Sequence, residues 1–462
     1  MRRVTALFML FFVTISVSPA LCQVVFKQLV DNGPREKRIN FVMLADGYTS
    51  AEQNKFDADA AVLQSYLLSF SPFSDYAEYY NVFTIYVPSV ESGSDHPFSG
   101  IYRNTYFSSS FDCYGIQRLV TIPPNDWDPD YSHGAGKVYS LLGTWLPEYD
   151  IIAVIVNDPE YGGSGGDIAV LSNHSAAPEV VVHELGHTLA GLGDEYEDAY
   201  PGYPDIEEPN TTQQTVRELI KWNPWILPST PIPTPENSGY SGVVGLFEGA
   251  HYHTTGWYRP RLNCEMRSLY QQFCDICKEQ LILAKYARVA PIQGFSPTAP
   301  ALTMTTVESQ NLGVTTMMPN GLPLSCQWHL DSIPIPGATD TSLVAIGYQL
   351  GLGTHRIQAK VWDNSSSVRM DPQGLLDEWH GWTVTVTGCC RDRTGNIDGD
   401  IDDLTDISDL TALVEYLFNS GTISPCDPEN DIDGSSAIDI SDLTLLVDYL
   451  FFAVPLPVCP LP

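Results

Sequence analysis

Positive charge is scarce in this sequence: Lys and Arg together number 23 against 56 Asp and Glu, a formal net charge of -33. Such an acidic chain repels phosphate backbones and anionic lipid, which excludes nucleic-acid binding by bulk charge and makes divalent cations the expected partner class. Long apolar runs are missing too. No stretch reaches the ~18 consecutive apolar residues of a membrane helix, so no integral membrane segment is expected. Wholesale disorder is excluded as well, because 44% hydrophobic and 11% aromatic residues suffice to pack cores. At roughly 100–200 residues per domain, the 462 residues predict two to four domains.

What is present begins with an export pattern. Met1, Arg2 and Arg3 precede the apolar run Ala6 to Val17 and the small-residue stretch Ser18-Pro19-Ala20. Residues 1–22 therefore read as a bacterial-type signal peptide, and the mature chain is expected to be secreted, extracellular or cell-surface associated. Leu21, where a small residue belongs, argues against lipid attachment at Cys22. The later cysteines, Cys113, Cys264, Cys274, Cys277, Cys326, Cys389, Cys390, Cys426 and Cys459, would favour disulfides in an oxidising compartment.

Three regions follow. In residues 23–290, helical and strand periods alternate. Ile39 to Leu44 and Tyr149 to Val156 read as buried strands, Ser50 to Leu68 as an amphipathic helix, Gly162 to Gly166 as a loop and Ile168 to Leu171 as a short strand. Pro204 to Gly242 reads as a surface excursion. Residues 291–388 show short alternating runs, Leu324 to Leu330 and Thr354 to Trp362, between Pro and Gly turns, which fits a β-sandwich. Residues 389–462 carry an internal repeat: DISDLTALVEYLF at Asp406 to Phe418 and DISDLTLLVDYLF at Asp439 to Phe451 agree at 11 of 13 positions.

The chemistry centres on His183-Glu184-Leu185-Gly186-His187, inside the apolar stretch Pro178 to Leu189. On a helix, positions i and i+4 share a face, so both imidazoles can address one zinc while Glu184 sits close enough to polarise water. A catalytic zinc needs a third protein ligand. Gly191 and Gly193 let the chain turn back toward the metal, and Asp194 follows as the preferred ligand, with Glu195 as the alternative. His251 and His253 are distal candidates that read more simply as surface histidines in an aromatic loop.

The string HELGHTLAGLGDEY at His183 to Tyr196 is accompanied by YGGSGG at Tyr161 to Gly166, EGAHYHTTGWYRPRLNCEMR at Glu248 to Arg267 and FCDICKEQ at Phe273 to Gln280. Together they resemble the IgA-peptidase-type zinc metallopeptidases, a family grouped with the metzincins. The resemblance implies an α+β peptidase domain, one zinc on His183, His187 and Asp194, Glu184 as general base, and a protein or peptide substrate cut as by an endopeptidase. It departs from the usual metzincin pattern, which has a His six residues beyond the second ligand. Met266 matches the methionine turn of metzincins. In an exported chain, Cys264, Cys274 and Cys277 are expected to brace that turn with a disulfide, since three cysteines fall one ligand short of a metal site. Ile168 to Leu171 corresponds to the edge strand on which related peptidases pair an extended substrate.

In the second repeat, Asp431, Asp433, Ser435, Ala437, Asp439 and Asp442 stand at calcium-loop positions 1, 3, 5, 7, 9 and 12. The first repeat offers Asn396, Asp398, Asp400, Asp406 and Asp409, with two extra residues before Asp406. Loop plus helix, twice, resembles dockerin type I modules, which implies about two calcium ions, a small EF-hand-like α-helical fold and a cohesin-type scaffold partner. The β-sandwich region looks Ig-like, with Trp328 in its core. The alternative from another class is a non-catalytic adhesion or scaffold-docking protein with an inactive peptidase-like domain. Retention of Glu184 argues against it.

Overall fold

The computed structural model describes residues 24–123, 134–200, 202–390, 392–400 and 404–459. The signal-peptide reading of residues 1–22 lies outside them. The chain divides into two compact units, residues 1–284 and 285–462.

In the first unit, β1 (Val25–Val30), β2 (Ile39–Asp46), β3 (Tyr80–Tyr86), β4 (Ile151–Val156), β5 (Gly163–Ser164) and β6 (Ala169–Ser172) form one sheet, in the order β1-β3-β2-β4-β6-β5. Its four central strands run parallel, and β1 and β5 close the edges antiparallel. Every residue of β2, β3, β4 and β6 is buried, as a parallel sheet covered on both faces requires. Helix α1 (Gln53–Leu67) leads from β2 to β3, and α2 (Gly134–Trp145) leads from β3 back past β2 to β4. The two crossovers run in opposite directions, so right-handed connection puts the helices on opposite faces. Val138, Leu141 and Leu142 of α2 pack on Val42, Leu44, Phe83, Ile85, Val154 and Val156. Helix α3 (Ala177–Ala190) follows β6 and packs on α1 and β6. The hairpin β7 (Phe247–Ala250) and β8 (His253–Arg259) and helix α4 (Asp275–Tyr286) come after it.

Four sequence expectations change. Helix α1 begins at Gln53 rather than Ser50, because the Thr49 N–H and hydroxyl both donate to the Glu52 carboxylate, at 2.8 and 2.7 Å, and hold a turn there. The glycine loop contains β5, whose Gly163 and Ser164 pair with Leu171 and Val170. Strand β6 therefore has both edges paired, to β4 and β5, and no substrate strand can add to it. Pro204 to Gly242 is no mere surface excursion: Asn210, Thr211, Thr212 and Trp222 are fully buried, and Trp222 Nε1 donates to the Gly245 carbonyl at 2.8 Å.

The second unit holds two sheets. β9 (Ile292–Ser296), β11 (Ser309–Thr316) and β14 (Ser342–Ile346) form one, in the order β14-β11-β9. β10 (Ala301–Thr305), β12 (Ser325–Leu330), β13 (Ile333–Pro334), β15 (Gly353–Trp362) and β16 (Asp377–Thr387) form the other, in the order β10-β16-β15-β12-β13. The one-turn helix α5 (Gly347–Leu350) follows β14. Trp328 and Trp382 are buried with ring centroids 5.8 Å apart, and each indole N–H finds a carbonyl, of Asp340 and Pro297.

Beyond β16, α6 (Ile407–Asn419), the single turn α7 (Asp427–Asn430) and α8 (Ile440–Phe452) surround a small core of Ile397, Leu413, Ile432, Leu446 and Leu456. Disulfides join Cys389 to Cys426 and Cys390 to Cys459. Among the described residues no helix is long and apolar enough to cross a membrane.

Asp46 ends β2 and anchors the loop that flanks the sheet's C-terminal edge. Its Oδ1 accepts from Phe107 N at 2.7 Å, and its Oδ2 from Thr105 Oγ1 at 2.9 Å and Ser109 N at 3.0 Å. Asp46→Asn would turn an amide N–H toward at least one of these donors in a fully buried place. It should cost about 1–3 kcal/mol, read as a lower urea midpoint for the transition of the first unit; an unchanged midpoint would show that the loop does not depend on this anchor.

Candidate active site

Helix α3 presents His183, Glu184 and His187 because Pro178 sits in its first turn and Gly191, at φ 62°, ends it in the left-handed region. In the next turn of chain, Asn210 clamps Gly193: its Oδ1 accepts from Gly193 N at 2.7 Å and its Nδ2 donates to Gly193 O at 2.9 Å. That clamp aims Asp194 back at the helix. His183 Nδ1 lies 3.0 Å from the Glu265 carbonyl and His187 Nδ1 2.6 Å from the Leu192 carbonyl. A carbonyl only accepts, so Nδ1 carries the proton of each neutral ring and Nε2 is left with a bare lone pair.

Those Nε2 atoms are 3.2 Å apart and lie 3.0 and 3.4 Å from Asp194 Oδ1. Oδ1 has no hydrogen-bond partner among the described residues. Two imidazole lone pairs and a carboxylate oxygen thus converge on one point, and that point calls for positive charge. Burial opposes charging the imidazoles, yet the Asp194 carboxylate outweighs it, pushing His183 up to about 10 and raising His187 as well. Burial would likewise raise Asp194, but the two imidazoles hold it well below the usual carboxylate range. An ion with Zn–N and Zn–O bonds of ~2.0–2.1 Å in tetrahedral geometry sets its ligand atoms ~3.3–3.4 Å apart, so the triangle has the dimensions of a three-ligand zinc site.

Asp194 Oδ2 is occupied separately. Tyr196 Oη donates to it at 3.0 Å, and Tyr252 Oη donates to it as well. Glu195 points elsewhere: its backbone N–H donates to the Met266 carbonyl at 2.8 Å, while its side chain accepts from Asn210 Nδ2 at 2.9 Å. Met266 is fully buried below α3, and a methyl placed on Gly186 would lie 2.6 Å from its sulfur. Burial raises the Glu184 carboxyl, with His183 and His187 opposing. The carboxylate abuts the glycine strand so closely that a methyl on Gly163 would come within 2.7 Å of Oε1, and one on Gly165 within 2.9 Å of Oε2. A cleft with two lobes of about 480 and 500 Å³ meets at His183 and Glu184, walled by Ile116, Leu119, Tyr196, Tyr200 and Tyr252.

The two distal histidines are placed otherwise. His251 is no surface residue: it is fully buried, its ring nitrogens lie 2.9 Å from Glu208 Oε2 and 3.0 Å from the Pro204 carbonyl, and it stacks on Trp257 at 3.7 Å. His253 Nδ1 lies 2.5 Å from the His251 carbonyl. Tyr252 and Asn210 are not singled out from the sequence, and Gly163 and Gly165 read there as part of a loop rather than as shapers of the site. The only local signals for them are an aromatic between two histidines and a glycine run.

In the C-terminal loops the structure draws Asp431, Asp433 and Asp442 together, with ligand atoms within 4.8 Å of one another. Asp442 accepts from Asp433 N at 3.0 Å and from Asp439 N at 2.8 Å; Asp409 accepts from Asp398 N at 3.0 Å and from Asp406 N at 2.7 Å. The repeats thus share one hydrogen-bond pattern. Asp439 and Asp406 spend their side chains capping α8 and α6. Ser435 Oγ donates to the Ala437 carbonyl at 3.2 Å, and Asp400 N donates to Asn396 Oδ1 at 3.0 Å.

Residues 27–240 and 236–284, more than half of the chain, match the IgA Peptidase M64 family. Among curated proteins, none matches the chain.

Gly165 offers a test of the site's tightness. A Cβ there meets His187 Cδ2 at 2.8 Å and Glu184 Oε2 at 2.9 Å, whereas at Gly143 in α2 it meets nothing within 4 Å. Gly165→Ala should lower peptide hydrolysis about a hundredfold by displacing those two side chains, with the circular-dichroism melt near that of the parent. Gly143→Ala should leave the rate unchanged; equal rates in both variants would mean that the glycine strand does not shape the site.

Proposed function

From the premise that the chain belongs to the IgA peptidase M64 family and is a peptidase, we propose that it is a zinc-dependent endopeptidase that hydrolyses extracellular proteins. The observation that carries the reading is the convergence of His183 Nε2, His187 Nε2 and Asp194 Oδ1 on one point beside Glu184. These three side chains would hold the zinc, which when bound supplies a Lewis acid that acidifies water and polarises a peptide carbonyl. The Glu265 and Leu192 carbonyls keep both imidazoles in the ligating tautomer, and the Tyr196 and Tyr252 hydroxyls fix Asp194 from behind. Glu184 takes the proton of the attacking water at its carboxylate and returns it to the leaving amine, a double duty favoured by the upward push of burial on its pKa. The substrate would lie along the cleft past Tyr196, Tyr200 and Tyr252, not on β6, whose edges are both paired.

The remaining regions extend the proposal. Residues 23–290 form the peptidase domain, 291–388 an Ig-like spacer and 389–462 a dockerin-like module that holds about two calcium ions in its duplicated aspartate loops. The exposed pairs Ile407 with Ile440 and Phe418 with Phe451, each matched across the repeat, give that module an apolar face for a cohesin-type scaffold protein. Secretion through the segment 1–22 fits the two disulfides of the C-terminal region.

Chelation should abolish hydrolysis, and zinc should restore it. Glu184→Gln should keep zinc at the histidine site yet lose at least about a hundredfold in kcat, since only the proton transfer is removed. Unaltered turnover in either experiment contradicts the mechanism, and full binding of a protein partner by an inactive parent would favour the adhesion reading. Calorimetry with calcium on the full chain should show binding that Asp442→Ala weakens more than Asp409→Ala, because the second loop has the regular ligand spacing and draws its carboxylates together. The opposite order, or no heat of binding, would remove the calcium module from the proposal.

A further inference from the structure

Behind Asp194 lies a second cluster. Glu195, Cys264, Cys274 and Cys277 are all buried, with their ligand atoms within 4.8 Å of one another. The cysteines are unpaired thiols, not the disulfide brace expected from the sequence. Cys264 Sγ and Cys277 Sγ are 3.7 Å apart, Cys274 Sγ and Cys277 Sγ 3.4 Å, and Cys277 Sγ and Glu195 Oε1 3.5 Å. With Zn–S bonds of ~2.3 Å and a Zn–O bond of ~2.0 Å, a tetrahedron sets its sulfurs ~3.8 Å apart and sulfur and oxygen ~3.5 Å apart. Three edges of this cluster have that size, and the other three stay within 4.8 Å.

Backbone amides already point at two of the sulfurs. Cys274 N donates to Cys264 Sγ at 3.2 Å and Cys277 N to Cys274 Sγ at 3.5 Å. Glu195 Oε2 is buried with no hydrogen-bond partner among the described residues, an orphan oxygen that costs free energy unless something binds it. A disulfide between any two of the cysteines would leave the third sulfur buried beside this carboxylate, with Oε2 still lacking a partner.

We propose that Glu195, Cys264, Cys274 and Cys277 form a second, structural zinc site of closed coordination. Soft thiolates select zinc over calcium or magnesium, and four protein ligands leave no position for water, so the site braces the fold and performs no catalysis. What it braces is specific. Glu195 adjoins Asp194 and donates its N–H to the Met266 carbonyl, and Cys264 adjoins Glu265, whose carbonyl orients His183. One ion would thus tie together the loop that carries the aspartate, the turn below α3 and the start of α4. The two sites share no ligand, so the two ions can be counted separately.

Metal analysis of the full chain, isolated under reducing conditions with zinc, should find about two zinc ions beyond any calcium. Cys277→Ser and His187→Ala should each lose about one, and only the former should keep the histidine-site zinc. Cobalt in place of zinc reports the ligand chemistry independently of activity. The parent and His187→Ala should both show sulfur-to-cobalt charge-transfer absorption in the near ultraviolet, and Cys277→Ser should lose it. Alkylation of the unfolded, unreduced parent should label Cys264, Cys274 and Cys277 alike. A parent that lacks the cobalt–thiolate band, or peptide mapping that finds a disulfide between any two of the three, overturns the proposal. Both readouts stand even where Cys277→Ser fails to fold.

Discussion

The two backbone carbonyls that receive the histidine Nδ1 protons are the constraint around which the first unit is arranged. If either carbonyl moved, an imidazole could change tautomer and turn an N–H toward Asp194, and the convergence of lone pairs would be lost. Neither carbonyl belongs to the body of α3. Leu192 lies just past its glycine cap, and Glu265 lies 82 residues beyond His183. Holding both in register with one helix face needs the Schellman-like reversal at Gly191, where Leu192 N returns to the Gly186 carbonyl at 3.2 Å, and a turn pressed against α3 from below. The closeness of Met266 to Gly186 is the mark of that pressing. A larger residue at position 186 would push the turn away and the Glu265 carbonyl with it.

Tight packing on the other side has a different purpose. Glu184 is buried, and a buried carboxylate without strong donors is pushed toward its neutral form. The imidazoles counter this, and the strand of glycines lets backbone close over the carboxylate with no side chain between them. The result is a group whose affinity for protons is set by competition between desolvation and nearby positive charge. This balance suits the accepting and releasing of a proton proposed for Glu184.

The legibility of the site followed the range of the interactions. His183, Glu184 and His187 could be read because a helix period places i and i+4 together, and Asp194 because a glycine turn brings a neighbour back within a few residues. The central strands β2 and β4 declared themselves as continuous apolar runs. What could not be read depends on distant partners. Asn210 clamps Gly193 from 17 residues away, and Tyr252 reaches Asp194 across 58. Strand β5, only two residues long, has no period to detect. The surface reading of Pro204 to Gly242 failed because a segment rich in Pro and Thr still buries Trp222 and Asn210 when their polar atoms find partners. The disulfide expected near Met266 rested on counting three cysteines. The fourth member of that cluster is a glutamate about 70 positions earlier in the chain, and spacing alone gives no hint of it.

The C-terminal repeats pose the opposite problem, since there the pattern was plain and the means of stabilisation was not. Five fully buried apolar side chains make a core too small to offset the chain entropy of a segment this long. Its acidic residues also repel one another. Covalent closure supplies part of the compensation: the two disulfides span 37 and 69 residues, and long loops gain most from cross-linking because the unfolded chain loses most freedom. The capping boxes contribute next, as Asp406 with Asp409 and Asp439 with Asp442 satisfy the first N–H groups of both helices. Yet among the described residues Asp409 and Asp442, fully buried, accept only backbone N–H bonds and face no cationic side chain. Amide donors can orient a buried carboxylate but do not neutralise it. The design therefore makes most physical sense if the positive charge comes from outside the chain, as the proposed calcium module requires.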